Sequence, residues 1–549
     1  MADMRRVMAT KPCCSNVHIF IKQPDNIWYE CCFKTGMKHE RAILPTRYLR
    51  SLVYSICLGL AFWAVATPAL AGPFGFAQVE GKAKALLASP YQAQTLPVPA
   101  SLQRLTPEQY AEIQDVDPLW HKQGLPFEAQ FYLPGSYFDR PVVIRRVVDG
   151  QVQPIPFSLR HFSFGKLQIP TDLPSDLGYA GFRLLYPLNT PPHPNEFISF
   201  LGASYFRAVG TGQIYGTSAR GLGIDTALPS GEIFPYFKEF WLVQPQPGAT
   251  EAVVYALLDS SVATGAYRFT IHPGKTVTVQ VAATIYLRKP VQVLEIAPLT
   301  SMYWHGKGRG QIAGDWHPEQ HDSSDLVMAN GDGEWITRPL DNPLHIQATT
   351  YAMDRPRGFG LIQQDRRFSA YEGVNTQYQL RPSVWVEPIG DWGKGHVKLV
   401  ELPTNNRDLD NIGAFWVPAQ QPAPGEAFHF AYQLRFFQDN PGLIPNGHPV
   451  ATYLGDGKVP GSRTVVIDFA GGALGQLPGS AQVNAIISVD HGAKVLNQKI
   501  EWDGARHFWR VIADILPISG QPANVRCYLA LNGQTMTDTW TYLLNAAKE

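Results

Sequence analysis

Residues 299–343 crowd carboxylates (Asp315, Glu319, Asp322, Asp325, Asp332, Glu334), histidines (His305, His317, His321) and aromatics (Tyr303, Trp304, Trp316, Trp335) between glycines, with almost no continuous apolar run. The pattern reads as exposed loop rather than core, and loops held by a rigid scaffold carry function more often than packed elements do. Flat aromatic faces stack on the C–H faces of sugars, while Asp, Glu, Arg and His hydrogen-bond to hydroxyls. The mixture therefore suits a carbohydrate better than an apolar ligand. An ordinary long connection, its Asp and Ser residues making local turns, is the alternative.

Carboxylates can do more than bind. Hydrolysis of a glycosidic bond needs one acid to protonate the leaving oxygen and one base or nucleophile opposite it. The chain offers Asp315, Glu319, Asp322, Asp325, Glu372, Glu387, Asp391, Glu401, Asp408 and Asp410, and composition does not rank them. Other chemistries lack their motifs: there is no H-E-x-x-H, no G-x-S-x-G and no G-x-x-x-x-G-K, and Gly306, Gly308 and Gly310 are wrongly spaced for a dinucleotide loop. His317 and His321 could share a metal on a helix, but Pro318 between them opposes one. Neither a metal nor a cofactor is expected.

For binding, Trp316, Trp385, Trp392 and Trp416 are candidate sugar platforms, with His321, Tyr378 and Arg381 as hydroxyl partners. A Trp in a strand-rich protein is more often core than platform. Trp385, alternating within 383–386, is the most core-like, whereas Trp392, between Gly390-Asp391 and Gly393, has the better claim to exposure.

The elements that must position these groups are strands. Two brief helices are expected near the start, in VEGKAKALLAS and LTPEQYAEIQD, the second capped by Thr106. From Leu119 onward, apolar alternation bounded by Gly, Pro, Asp or Asn dominates, as in Thr276-Val277-Thr278-Val279-Gln280-Val281. A mostly β fold follows, with a large antiparallel β-sandwich over 72–436, a Pro/Gly-rich linker at 437–450, and a smaller immunoglobulin-like sandwich of about seven short strands over 451–549.

Charge and cysteines bound the setting. Formal net charge is zero over 549 residues, so nucleic acid is not an expected partner. Arg47 and Arg50 precede the apolar run LVYSICLGLAFWAVA, which ends in Pro68-Ala69-Leu70-Ala71. This reads as a secretory signal peptide over 37–71 with the mature start at Gly72, residues 1–36 being an extension ahead of a true initiator at Met37. A membrane anchor is the alternative, for which 15 residues are short. The first 71 residues hold nine Lys or Arg and four Asp or Glu, so the remainder, 37 basic against 42 acidic, is mildly acidic. Five of six cysteines lie in the same segment, leaving Cys527 alone and no internal disulfide. No Arg-Arg pair directly precedes the apolar run, so the general secretory route is expected.

Several blocks taken together carry a family resemblance: GDWHPEQHDSSDL (314–326), NGDGEWITRPLDNP (330–343), EFISFLGASYFRAVG (196–210), GEIFPYFKEFW (231–241), YQLRPSVWVEPIGDWGKGHVKLVELPT (378–404) and DNIGAFWVP (410–418). From about Phe74 to the C-terminus the chain resembles the periplasmic glucan biosynthesis proteins G and D, the MdoG/OpgG and OpgD family, and is closer to the G branch, given its secretory route. The resemblance implies the same two-part architecture and a role with linear β-1,2-glucan. For members that cleave it, the base lies in the H-D-S motif and the acid in the D-N-I motif, working by inversion. Here those positions are Asp322 and Asp410. Implied partners are β-1,2-glucan chains and a membrane glucosyltransferase; a homodimer is compatible with the reading, and a non-catalytic glucan-binding or assembly protein is the rival. Two departures stand out. Ser324-Asp325 replaces text in which a glycine suited to φ > 0 is usual, and NNRDLD precedes Asn411 where relatives are more acidic and Thr-rich.

Overall fold

The computed structural model describes residues 72–93, 98–168, 173–190, 193–308, 312, 314–439, 443–518 and 522–545, together with strand pieces at 20–22 and 28–30. The chain divides into two units, Met1–Ala71 and Gly72–Glu549. In the first, the strands Phe20–Lys22 and Trp28–Glu30 pair antiparallel. The expected extension (1–36) and leader (37–71) otherwise lie outside the described residues. Among the described residues no helix is long and apolar enough to cross a membrane.

The second unit is mostly strand. Helix Phe76–Leu86 buries Val79 and Ala83 against Trp241, Leu257 and Tyr286. Helix Pro107–Ala111 starts at Thr106, whose hydroxyl accepts from the Gln109 amide at 3.3 Å while the Gln109 side chain accepts from the Thr106 amide.

A 15-stranded sheet and a 10-stranded sheet contribute to one large core. The centre of the larger sheet is a meander, with Tyr236–Val243, Ala252–Asp259, Ala263–His272 and Val277–Leu287 antiparallel in sequence order and Ala427–Phe437 beside the last. Its inward aromatics meet those of the smaller sheet edge to face: Phe182 against Phe240 at 5.1 Å, Phe200 against Phe269 at 5.1 Å, and Phe206 against Phe269 at 5.3 Å. The fold is thus the expected β-sandwich, with a parallel exception where Val143–Val148 joins Tyr236–Val243.

The expected loop at 299–343 is a correction. Gln320 to Ser323 are buried, Asp325–Ala329 is a fully buried strand, and Trp335–Pro339 pairs with it. Its polar groups enter the core because distant residues satisfy them. Arg338 donates to Glu401 at 2.9 Å with both side chains sealed from water, and Glu401 also accepts from the Asp341 amide. Asp325 is a second correction: it opens a strand opposite Pro339 and Ile362 and has no positive φ, so no turn requires a glycine there.

The connection expected at 437–450 is flanked by strand, since Phe437 ends Ala427–Phe437 and His448 opens His448–Asp456. A bulge between Pro449 and Ala451 lets the proline sit in that strand. Beyond it, the strands His448–Asp456, Arg463–Ala470, Phe508–Leu516 and Lys494–Asp503 form one sheet. Val483–Val489, Ala523–Leu531 and Thr539–Leu544 form a second layer, and Val465, Phe469, Trp509, Val525, Cys527 and Trp540 make a separate buried cluster. That second layer continues the 15-stranded sheet through a parallel pairing of Ile336 and Thr337 with Thr539 and Trp540. Across the seam, the Arg338 guanidinium lies 4.5 Å from the Tyr542 ring, whose hydroxyl donates to Asp341 at 3.2 Å.

Candidate active site

A cleft of about 730 Å³ contains both expected carboxylates, Asp322 and Asp410, along with Tyr378 and Arg381. One wall is sheet. Strands Tyr205–Ala208 and Ser218–Arg220 pair with Tyr205 opposite Arg220, and Ser218 pairs with Thr300 at the end of strand Leu294–Ser301. Because alternate side chains share a face, Tyr205 and Arg207 both reach the cleft, and Arg220 joins them from the next strand.

Asp410 sits just before strand Ile412–Pro418, where the next residue clamps the chain. Buried Asn411 accepts from the Tyr303 amide at 2.8 Å, donates through its side chain to the Leu402 carbonyl at 3.1 Å, and donates its own amide to the Ser301 carbonyl. The asparagine of the D-N-I text thereby fixes both ends of the loop that carries Asp410. Within that loop, Asp408 donates its amide to the Asn406 side chain, and Arg407, Asp408 and Leu409 line the cleft mouth. The Asp410 carboxyl opens to the cleft yet is densely walled by protein. Loss of water pushes its pKa above the usual range, while Arg220, the hydroxyls of Thr300 and Tyr205, and Arg207 pull it back.

Asp322 follows the short strand Gln320–His321 and donates its amide to the Met302 carbonyl at 2.8 Å. Its carboxylate is ion-paired with the Arg381 guanidinium, which stacks 4.3 Å over the Tyr378 ring and donates to the Thr376 carbonyl. Gly216 allows this approach, since a Cβ there would lie 2.7 Å from the Arg381 Cβ. Burial pushes Asp322 up to about 6; Arg381 opposes the rise and Asp410 adds to it. The two aspartates therefore face each other electrostatically across one cleft.

The aromatic platforms need correction. Trp385, 3% exposed, stacks on Trp335 in a slot carved by Gly358 and Gly360. Trp416, 2% exposed, lies over Gly395 in the core. Trp392 is half-buried, caps the core beside Trp416 and Tyr432, and donates to the Ala431 carbonyl at 3.1 Å. Its flanking glycines mark a turn, not an exposed ring. None of these three lines the cleft.

His321 is buried between Gln363 and Glu319 at 2.8 and 3.0 Å and stacks on Tyr303, so it braces the backbone before Asp322 and does not face the cleft. Trp316 is 65% exposed and stacked on His317, outside the cleft wall. Its loop is tied to the cleft through Asp315, Gln320 and Arg407, the last contact being 3.5 Å. Among the described residues no group of His, Cys, Asp and Glu is arranged to hold a metal ion.

Sequence reading missed Tyr205, Arg207, Ser218, Arg220 and Thr300. The first two lie within the block at 196–210, but polar residues alternating along a strand look like any solvent face.

A sheet-floored polar cleft with two carboxylates in different electrostatic settings marks this as a β-sandwich protein with a candidate active site. By comparison with known proteins, the chain belongs to the periplasmic glucan biosynthesis protein family, whose model, MdoG, matches residues 74–544. It is 43% identical over 501 residues to glucans biosynthesis protein G of Ralstonia nicotianae, covering 89% of this chain and 99% of that one. It is 42% identical over 513 residues to the protein of the same name from Pseudomonas paraeruginosa, covering 91% and 97%. With that of Sodalis glossinidius it shares 40% over 527 residues, covering 93% and 99%.

Proposed function

We propose that this protein binds linear β-1,2-glucan in the cleft and hydrolyses it with inversion, Asp410 acting as acid and Asp322 as base. The observation that carries the reading is the convergence of these two aspartates, from separate strand ends, on one cleft. Asp410 gives its proton to the glycosidic oxygen as the bond to the anomeric carbon breaks. Water attacks that carbon from the opposite face and its proton passes to Asp322, directly or through further water. Arg381 keeps Asp322 ionised against its burial, and Tyr378 and Arg381 contact sugar hydroxyls. Trp316 extends the binding surface outside the cleft.

The setting is the periplasm, reached by the general secretory route with cleavage before Gly72. N-terminal sequencing of the exported protein checks this, and a product retaining residues 52–66 overturns it. In glucan backbone synthesis the protein would meet chains delivered by a membrane glucosyltransferase.

The test is incubation with linear β-1,2-glucan, following short products and their anomeric configuration by NMR. Wild type releases inverted oligosaccharides, whereas Asp410→Asn and Asp322→Asn each lose at least ~100-fold in rate and still bind glucan. Binding without release by wild type would favour a non-catalytic assembly role.

A further inference from the structure

The surroundings of Asp410 contain more than an acid requires for protonation alone. The Tyr205 hydroxyl lies 3.4 Å from the Asp410 Oδ2, and the Ser218 Oγ lies 2.5 Å from the Tyr205 hydroxyl and 2.9 Å from the Thr300 Oγ1. The hydroxyls form a chain that ends on Asp410. Its three hydroxyls come from three neighbouring strands whose pairing, Tyr205 opposite Arg220 and Ser218 opposite Thr300, sets their spacing through the backbone.

Counting protons assigns the hydroxyl chain a task. Thr300 donates to Ser218, Ser218 to Tyr205, and Tyr205 to Oδ2. Oδ2 therefore accepts a hydrogen bond whether Asp410 is ionised or protonated, and the acidic proton is left to the other oxygen. We propose that Tyr205, backed by Ser218 and Thr300, is the positioning residue for Asp410, fixing one carboxyl oxygen in both protonation states so that the other faces the glycosidic oxygen. This rests on Asp410 being the acid.

The charged groups sharing the cleft with Asp410 are Arg207 and Arg220 on the hydroxyl-bearing strands, Asp322 and Arg381 across it, and Arg407 and Asp408 on its own loop. All are retained in Tyr205→Phe, which also keeps the ring that lies 5.3 Å from the Arg220 guanidinium. Because the lost hydroxyl favours the carboxylate, the Asp410 titration, followed by carboxyl ¹³C NMR and assigned by its loss in Asp410→Asn, should move up by ~0.5–1 pH unit. In activity, kcat should fall ~10-fold with KM unchanged, and the basic limb of the pH profile should move up by the same amount. Ser218→Ala should act in the same direction more weakly, and it serves if the Tyr205 variant fails to fold. An Asp410 titration unmoved in the folded variants overturns the proposal. The NMR measurement needs no turnover, so an inactive wild type would defeat the hydrolase reading while the titration still decides whether Tyr205 holds the Asp410 carboxyl.

Discussion

The Ser301 Oγ lies 2.6 Å from the Ser323 Oγ, joining the end of strand Leu294–Ser301 to the residue that follows Asp322. The neighbouring Thr300 turns the other way, to Ser218 in the hydroxyl chain that ends on Asp410. Two consecutive residues of one strand thus reach toward both aspartates, and Thr217, 3.2 Å from the Ser301 Oγ, extends the hydroxyl chain.

Ser301→Ala is therefore expected to disturb Asp322 with little effect on the fold. Losing a buried hydroxyl with two partners costs ~1–3 kcal/mol, read as a lower denaturation midpoint. Glucan release should fall several-fold while affinity holds, and an unchanged rate would show that Asp322 is placed without this link.

The pH profile of glucan release follows from Asp322. In the proposed role of base it must be ionised, and burial pushes its pKa up to about 6, so kcat/KM should fall as pH drops through about 6. Arg381 holds that value down. Arg381→Met should move the acid limb to higher pH, and a limb moving the other way would contradict the ion pair's role.

Stability should carry its own pH signature at the seam. Asp538 accepts from Thr337 at 3.2 Å and from Asn446 at 3.5 Å, and burial pushes it up to about 7 from the ordinary 3.8. A raised folded pKa means that the native state holds the proton more tightly. Its contribution is full below the ordinary carboxylate range, declines as pH climbs to about 7, and is flat above. Asp538→Asn should remove a pH dependence on the order of 3 kcal/mol between pH 5 and pH 8, measured by denaturation at the two values.

The separate cluster around Val465, Trp509, Cys527 and Trp540 predicts that residues 446–549, expressed alone, give dispersed β-type spectra and a cooperative melt. Loss of the pairing to Ile336 and Thr337 and of the Arg338–Tyr542 contact should lower its melting point relative to the whole chain. A disordered fragment would mean that this part folds only on the larger sheet.

Strand content was legible because half-buried strands alternate, as Val277–Leu287 does along its first residues. Asp322 and Asp410 were reachable through long blocks of family text, Tyr378 and Arg381 through the hydrogen-bonding chemistry of their side chains, and the structure brings all four to one cleft. What stayed hidden depended on partners far along the chain. Arg338 looks exposed until Glu401 is beside it, and Tyr205 looks like a surface tyrosine until Ser218, Thr300 and Asp410 meet it. Trp416 misled because a tryptophan's type does not reveal whether a glycine opposite has made room for it, whereas the alternation around Trp385 already pointed to the core.

The parallel seam between Trp335–Pro339 and Thr539–Leu544 also sets an order of events. A chain made from its N-terminus exposes that strand edge until Thr539–Leu544 arrives about 200 residues later, and an open edge invites pairing with another molecule. That strand is the stitch joining the two parts of the 15-stranded sheet, so removing the residues beyond Thr537 should raise aggregation.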